Sequence, residues 1–325
     1  MNFHTPVLLP TLDDELRLSP QSYVMFLGSC FADHVGTFMQ DCLPQRQVCI
    51  NPHGTLYNPM SICKVVNSLL QGNATEGIDS NGYFKVSEDE WRHWDYSTLF
   101  SASTKEELKK TLWENWSIAK SVFCCLDVLF ITFSTDHVYC LRSEEKGGSI
   151  VANCHKQPNH LFDEKIADWH TMLQEWTRVL ELLQHNNPQT SVVFTLSPYR
   201  YAKYGMHENA LSKSRLLLLI DALEKQNNQV SYFPAYEIIN DELRDYRFYA
   251  EDMLHPSTQA VSYVWEQFSQ WIFSNDMHIF AKERMAIKRD MNHRPLHPES
   301  ETYTRFLLQL EKKKQAFEKK WNMNF

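Results

Sequence analysis

Glycine is scarce in this chain, with nine among 325 residues, and none falls in a G-x-G-x-x-G or Walker A pattern. The loops that cradle nucleotide phosphates are therefore not supported. No two of the eight cysteines form a C-x-x-C pair, and several sit inside apolar runs, as buried reduced thiols do. Disulfides are not expected. The longest purely aliphatic run is Leu216 to Ile220, far short of a membrane span. The N-terminal stretch MNFHTPVLLPTLDDELRLSPQ lacks the basic segment and apolar core of a signal peptide. A cytoplasmic protein without a membrane partner is the expectation. Cations are not in excess either: the net charge is −8. That argues against nucleic acid as a partner, because phosphate binding needs clustered Lys and Arg.

What remains is a chain that is 43% hydrophobic and 13% aromatic, enough for a well-packed globular protein. Short apolar runs ending in turn residues recur along it: YVMFLGS, QVCINPHG, DVLFITFST (127–135), SVVFTLSP (191–198) and VSYFPAY (230–236). Runs this short and continuous suit strands buried on both faces, the mark of a parallel sheet. Between them lie amphipathic patterns such as SICKVVNSLLQ, ADWHTMLQEWTRVLELLQ and SKSRLLLLIDALEKQ. Strands alternating with helices predict a doubly wound α/β/α sandwich with a mostly parallel five-stranded sheet. Residues 72–100 read as an irregular insertion, and 136–153 as a β-hairpin around Gly147-Gly148. The sandwich is placed at 1–275. From 276 to 325 a more basic helical extension carries Phe306, Leu310, Phe317 and Trp321 on one helical face.

The chemistry centres on Gly28-Ser29-Cys30, where the first apolar run ends and a helix pattern begins. Serine needs a base and a group to orient that base. Asp252 and His255, three residues apart after the fifth run, offer both. In a parallel sheet the ends of first and last strands open on the same carboxyl edge. Ser29 as a plain helix N-cap is the bland alternative. Cys30 is the rival nucleophile, with its side chain expected to point away from that of Ser29, into the core. His293 and His297 have a metal-like i,i+4 spacing, but Pro295 between them interrupts a regular helix, so no metal and no cofactor are assigned.

Gly28-Ser29-Cys30-Phe31-Ala32 together with NPHGTLYNP, VANCHKQP, TLSPYR, ENALSKSRLL and YFPAYEIINDELRDYRFYAEDMLHPS resembles the GSCFA-domain proteins, a bacterial group placed with the SGNH/GDSL hydrolases. The resemblance covers roughly 20–275. It implies a flavodoxin-like topology and an esterase forming an acyl-enzyme: Ser29 as nucleophile, His255 as base, Asp252 as its orienter. The implied oxyanion hole comprises the Ser29 amide, Gly54 and, in place of an absent Gly-x-Asn-Asp, Asn153. Thr135, His53 and His155 become candidate substrate contacts. The implied substrate is a small O-acyl ester, plausibly an acetylated carbohydrate. A non-catalytic glycan- or acyl-binding protein and an O-acyltransferase are the alternatives. The sequence leaves the oligomeric state open.

Overall fold

The computed structural model describes residues 6–12, 16–142 and 148–325. In chain order the strands are β1 (Val24–Gly28), β2 (Val48–Ile50), β3 (Tyr83–Ser87), β4 (Glu90–His93), β5 (Val128–Phe133), β6 (His137–Leu141), β7 (Ile150–Val151), β8 (Phe162–Ile166), β9 (Ser191–Leu196) and β10 (Val230–Phe233). The helices are α1 (Cys30–Cys42), α2 (Pro59–Leu70), α3 (Ala74–Gly77), α4 (Lys105–Phe123), α5 (Trp169–Asn186), α6 (Met206–Gln226), α7 (Ala235–Glu237), α8 (Thr258–Ile272), α9 (Asn275–Met291) and α10 (Glu301–Trp321).

Five strands form one sheet in the order β10-β9-β5-β1-β2, and every pairing in it is parallel. Renumbered within the sheet this is 2-1-3-4-5, the doubly wound order whose switch point lies between β1 and β5. The apolar runs are continuous because successive side chains feed opposite cores. Met25 and Leu27 of β1, with Leu129, Ile131 and Phe133 of β5, join a core covered by α2, α4, α5 and α6. Val24 and Phe26, with Val128 and Phe130, join a second core under α1, α8, α9 and α10. There Phe26 stacks on Phe130 with ring centroids 4.6 Å apart. The architecture is the three-layer α/β/α sandwich expected from the sequence.

Span 72–100 is more regular than expected. It contains α3 and the antiparallel β3–β4 hairpin, which turns at Glu88-Asp89. Its strands escaped the sequence reading because most of their residues are only half-buried and do not alternate apolar with polar. In 136–153, β6 pairs antiparallel with β7, and β8 adds a third strand on its other side. The turn joining β6 to β7 includes Gly147, which lies outside the described residues. In the C-terminal segment α10 packs on α9, and α9 packs on α1. Leu310 and Phe317 are buried there, with Phe306 and Trp321 packed beside them. The N-terminal segment also closes on this side, through Leu18 bridged to Phe273. Among the described residues no helix is long and apolar enough to cross a membrane.

Candidate functional site

The carboxyl edge of the sheet is shaped first by a tight exit from β1. Gly28 has φ +136°, and a Cβ there would lie 2.2 Å from the carbonyl oxygen of Thr132 on neighbouring β5. Its amide donates to Oδ1 of Asn51 at 2.8 Å. Asn51, in the left-handed region with φ 41°, also donates from Nδ2 to Asp33 Oδ1 at 2.6 Å. Thr55 Oγ1 donates to the other oxygen of Asp33 at 3.1 Å. Asn51, Asp33 and Thr55 thus tie the loop after β2 to the first turn of α1 and fix how that helix starts.

Ser29 and Cys30 exchange the places expected of them. Ser29 is only 1% exposed. Its extended backbone makes it the N-cap of α1, and its Oγ accepts from the Phe31 amide at 3.3 Å. Cys30, the first helical residue, is half-buried and lines a cleft with Phe31, His34, Ser197, Pro198, Tyr199, His255 and Pro256. Once the cap orients Ser29 inward to its amide partner, the next residue on the turn faces outward. The expectation that Cys30 enters the core is therefore reversed, and Ser29 does not line the cleft.

The other half of the cleft comes from the loop before α8. Asp252 Oδ1 accepts the amides of Leu254 and His255, both at 2.9 Å. Its Oδ2 lies 2.5 Å from His255 Nδ1. These bonds, led by the His255 amide, hold the Asp252 carboxyl down at about 2. The carboxylate makes Nδ1 the protonated ring nitrogen and leaves Nε2 as an acceptor. The loop is braced by Ala250 N–H to His255 O at 2.8 Å and Arg200 N–H to Leu254 O at 3.1 Å. The Tyr199 ring packs 4.4 Å from the imidazole. His255 and Cys30 are brought to one cleft, with Asp252 bonded to the imidazole from the same loop.

Burial, ahead of the neighbouring Asp33 carboxylate, raises the Cys30 thiol, while the amides of Phe31 and Cys30 and the Lys213 ammonium oppose that rise. The thiol is thus protonated at rest, and attack on a carbonyl requires a base to take its proton.

Of the expected oxyanion donors, the Gly54 amide is engaged elsewhere and Asn153 lies off the cleft. The Gly54 amide donates to Asn51 O at 2.7 Å, so its φ of +78° serves a turn packed against Ser97. Asn153 uses Oδ1 to accept the His155 amide at 2.7 Å and does not line the cleft. What remains is the positive end of the α1 dipole, although Ser29 takes the Phe31 amide on Oγ and the Ala32 amide on its carbonyl oxygen. Thr135 is buried, its Oγ1 accepting from His137 N at 3.2 Å.

His53 and His155 are buried. His53 is stacked 3.9 Å from Tyr96 and donates from Nδ1 to Asp95 O at 3.2 Å. His155 lies against Trp94 and Phe84 and donates from Nε2 to His93 O at 3.0 Å. Burial lowers each to about 4. Neither histidine then binds a proton in the folded protein until pH 4, whereas in the unfolded chain both do so near 6.5. Stability is accordingly expected to fall as pH drops from about 6.5 to about 4, by roughly 3 kcal/mol per histidine. Thermal unfolding followed across that range checks this, and a flat profile would count against it.

Sequence reasoning missed His34, although its i,i+4 spacing from Cys30 places the two on one helical face. It also missed Lys213, which occupies an apolar periodic position with Leu216, Leu219, Ile220 and Leu223 on the buried side of α6.

Compared with known families, residues 23–268 match the model of the GSCFA family. The chain belongs to the GSCFA family. Residues 285–325 match a second model, the C-terminal domain of GSCFA domain proteins, and this segment holds all of α10. No curated protein and no solved structure matches the chain. In this GSCFA protein the signature Gly28–Ala32 spans the end of β1, the cap and the first turn of α1. One short motif therefore sets the tight strand exit, the buried cap and the thiol in the cleft.

Proposed function

We propose that this GSCFA protein is an acyl-transfer enzyme of SGNH/GDSL type that acts on an O-acyl ester and uses Cys30, in place of serine, as nucleophile. The observation that carries the reading is His255, paired with Asp252 at 2.5 Å and lining the same cleft as Cys30. In the first step His255 Nε2 takes the thiol proton while sulfur attacks the ester carbonyl. The start of α1 supports the oxyanion. On collapse the C–O bond breaks, and the imidazolium returns the proton to the leaving alcohol, giving a thioester on Cys30. Water, or a second alcohol, then gives up a proton to His255 and attacks the thioester; the C–S bond breaks, the acyl group leaves, and the imidazolium returns the proton to the Cys30 sulfur. Hydrolysis and transfer share this intermediate. Acetylated carbohydrates, suggested by the superfamily resemblance, are the first substrates to screen.

Trapping the intermediate tests the scheme. After brief exposure to p-nitrophenyl acetate and acid quench, peptide mapping is expected to find acetyl on the Cys30 peptide, localised to Cys30. Acetyl on Ser29 would restore the serine mechanism. No adduct on folded protein would favour a binding protein on the same frame. That second reading has its own support, because the Gly54 amide is committed to a turn.

Asp252→Asn is expected to slow acyl transfer on the order of 10³-fold, with unchanged thermal stability to within about 1 kcal/mol, because the loss is of imidazole orientation. Steady-state kinetics beside a melting curve separate the two effects. Asp252 itself is ionised above about pH 2, so acid inactivation in the assay range is not expected to come from its protonation.

A further inference from the structure

Beneath the cleft lies a cation that the scheme above does not use. Lys213 of α6 is 1% exposed. Its ammonium donates to Ser134 O at 2.6 Å and Ser197 O at 2.8 Å. These carbonyls belong to the segments leaving β5 and β9, and Ser197 is itself a wall of the cleft. A lysine buried to this extent is costly unless partnered, and an apolar side chain would fill the same helical position more simply. Two backbone carbonyls hold it at the carboxyl edge of the sheet, one of them from Ser197, which shares the cleft wall with Cys30.

We propose that Lys213 is a positioning residue for charge: a fixed cation behind Cys30 that favours the thiolate during attack, anchored by the carbonyls of Ser134 and Ser197. This rests on Cys30 being the nucleophile. The charged and titratable groups around Lys213 are Asp136 from the segment after β5, Cys30 from α1 and the Tyr236 ring from α7, 6.0 Å away. Asp136 is itself paired with Arg215. Around Cys30 stand Asp33, His34, Tyr57, Tyr199 and His255. Burial lowers Lys213 to about 7, against the opposing pull of Asp136 and Cys30. Below pH 7 the cation is present and lifts the thiolate fraction. Above pH 7 it is lost and the advantage fades.

The test is the rate of Cys30 alkylation by iodoacetamide from pH 6 to 9, read by peptide mass spectrometry and compared between wild type and Lys213→Gln. Glutamine keeps a donor for the carbonyls and removes the charge. The expected result is a rate about tenfold lower in the variant at pH 6, with the curves converging by pH 9. Every other group around Cys30 is the same in both proteins, so the difference belongs to Lys213. Equal rates at all pH values, or an offset that is the same at every pH, would overturn the proposal, because loss of packing alone does not depend on pH in this way. If the variant does not fold, the wild type still decides: log rate rising with unit slope through pH 7 would overturn the proposal, and a shallower rise there is expected. Alkylation reads the thiol without turnover. Failure here therefore leaves the acetyl-trapping result standing, and failure of that trapping would be seen separately.

Discussion

Cys30→Ala is expected to leave a folded protein whose acyl-transfer rate is lower by about four orders of magnitude or more, the usual consequence of removing a covalent nucleophile. Folding should survive because Cys30 is only half-buried and the cap of α1 belongs to Ser29. Ser29→Ala should behave in the opposite way. It removes the Oγ that caps the Phe31 amide and costs about 1 kcal/mol of stability, with the thioester still forming. Running both substitutions through the same assay and the same melt separates the two residues. Turnover retained in Cys30→Ala but abolished in Ser29→Ala would return the chemistry to serine.

The largest effect on stability is expected at Gly28. Alanine there would have to adopt φ +136° and place its Cβ 2.2 Å from the Thr132 carbonyl oxygen. That neighbour is backbone in the middle of the sheet, paired in register with Gly28 itself, and cannot move aside. Strain at such a dihedral and overpacking each contribute roughly 1–3 kcal/mol. Gly28→Ala is therefore expected to lose on the order of 4 kcal/mol, measured as a drop in the urea midpoint at unchanged slope. A variant within about 1 kcal/mol of wild type would mean that the strand exit can relax in a way the geometry gives no sign of.

The central sheet was legible because burial on both faces leaves a direct trace in the sequence. Val128–Phe133 is apolar at five of six positions, with Thr132 the exception, and Ser191–Leu196 is nearly so. The β3–β4 hairpin leaves no such trace, because its side chains are partly exposed on both sides. The Asp252–His255 pairing was readable from its spacing, since a three-residue turn brings carboxylate and imidazole together by local geometry alone. The choice between Ser29 and Cys30 was not. It depends on which of two adjacent side chains turns back to cap the helix, and it is Ser29 Oγ that takes the Phe31 amide. For the same reason Gly54 and Asn153 could be placed in turns but not assigned as donors. Each turn claims a hydrogen-bonding group that a sequence motif leaves nominally free. Lys213, one cation in an apolar stripe, went unread.

The two cores under the sheet close at different moments of synthesis. The core covered by α2, α4, α5 and α6 draws on residues between Met25 and Val230. Its partner under α1 needs α8, α9 and α10, together with the Leu18–Phe273 bridge. A chain leaving the ribosome from its N-terminus can therefore cover one side of the sheet well before the other. During that interval Val24, Phe26, Val128 and Phe130 lack their final cover, and the helix bearing Cys30 lacks the layer that holds it in place. The helices that complete the support of the thiol thus emerge well after the thiol itself.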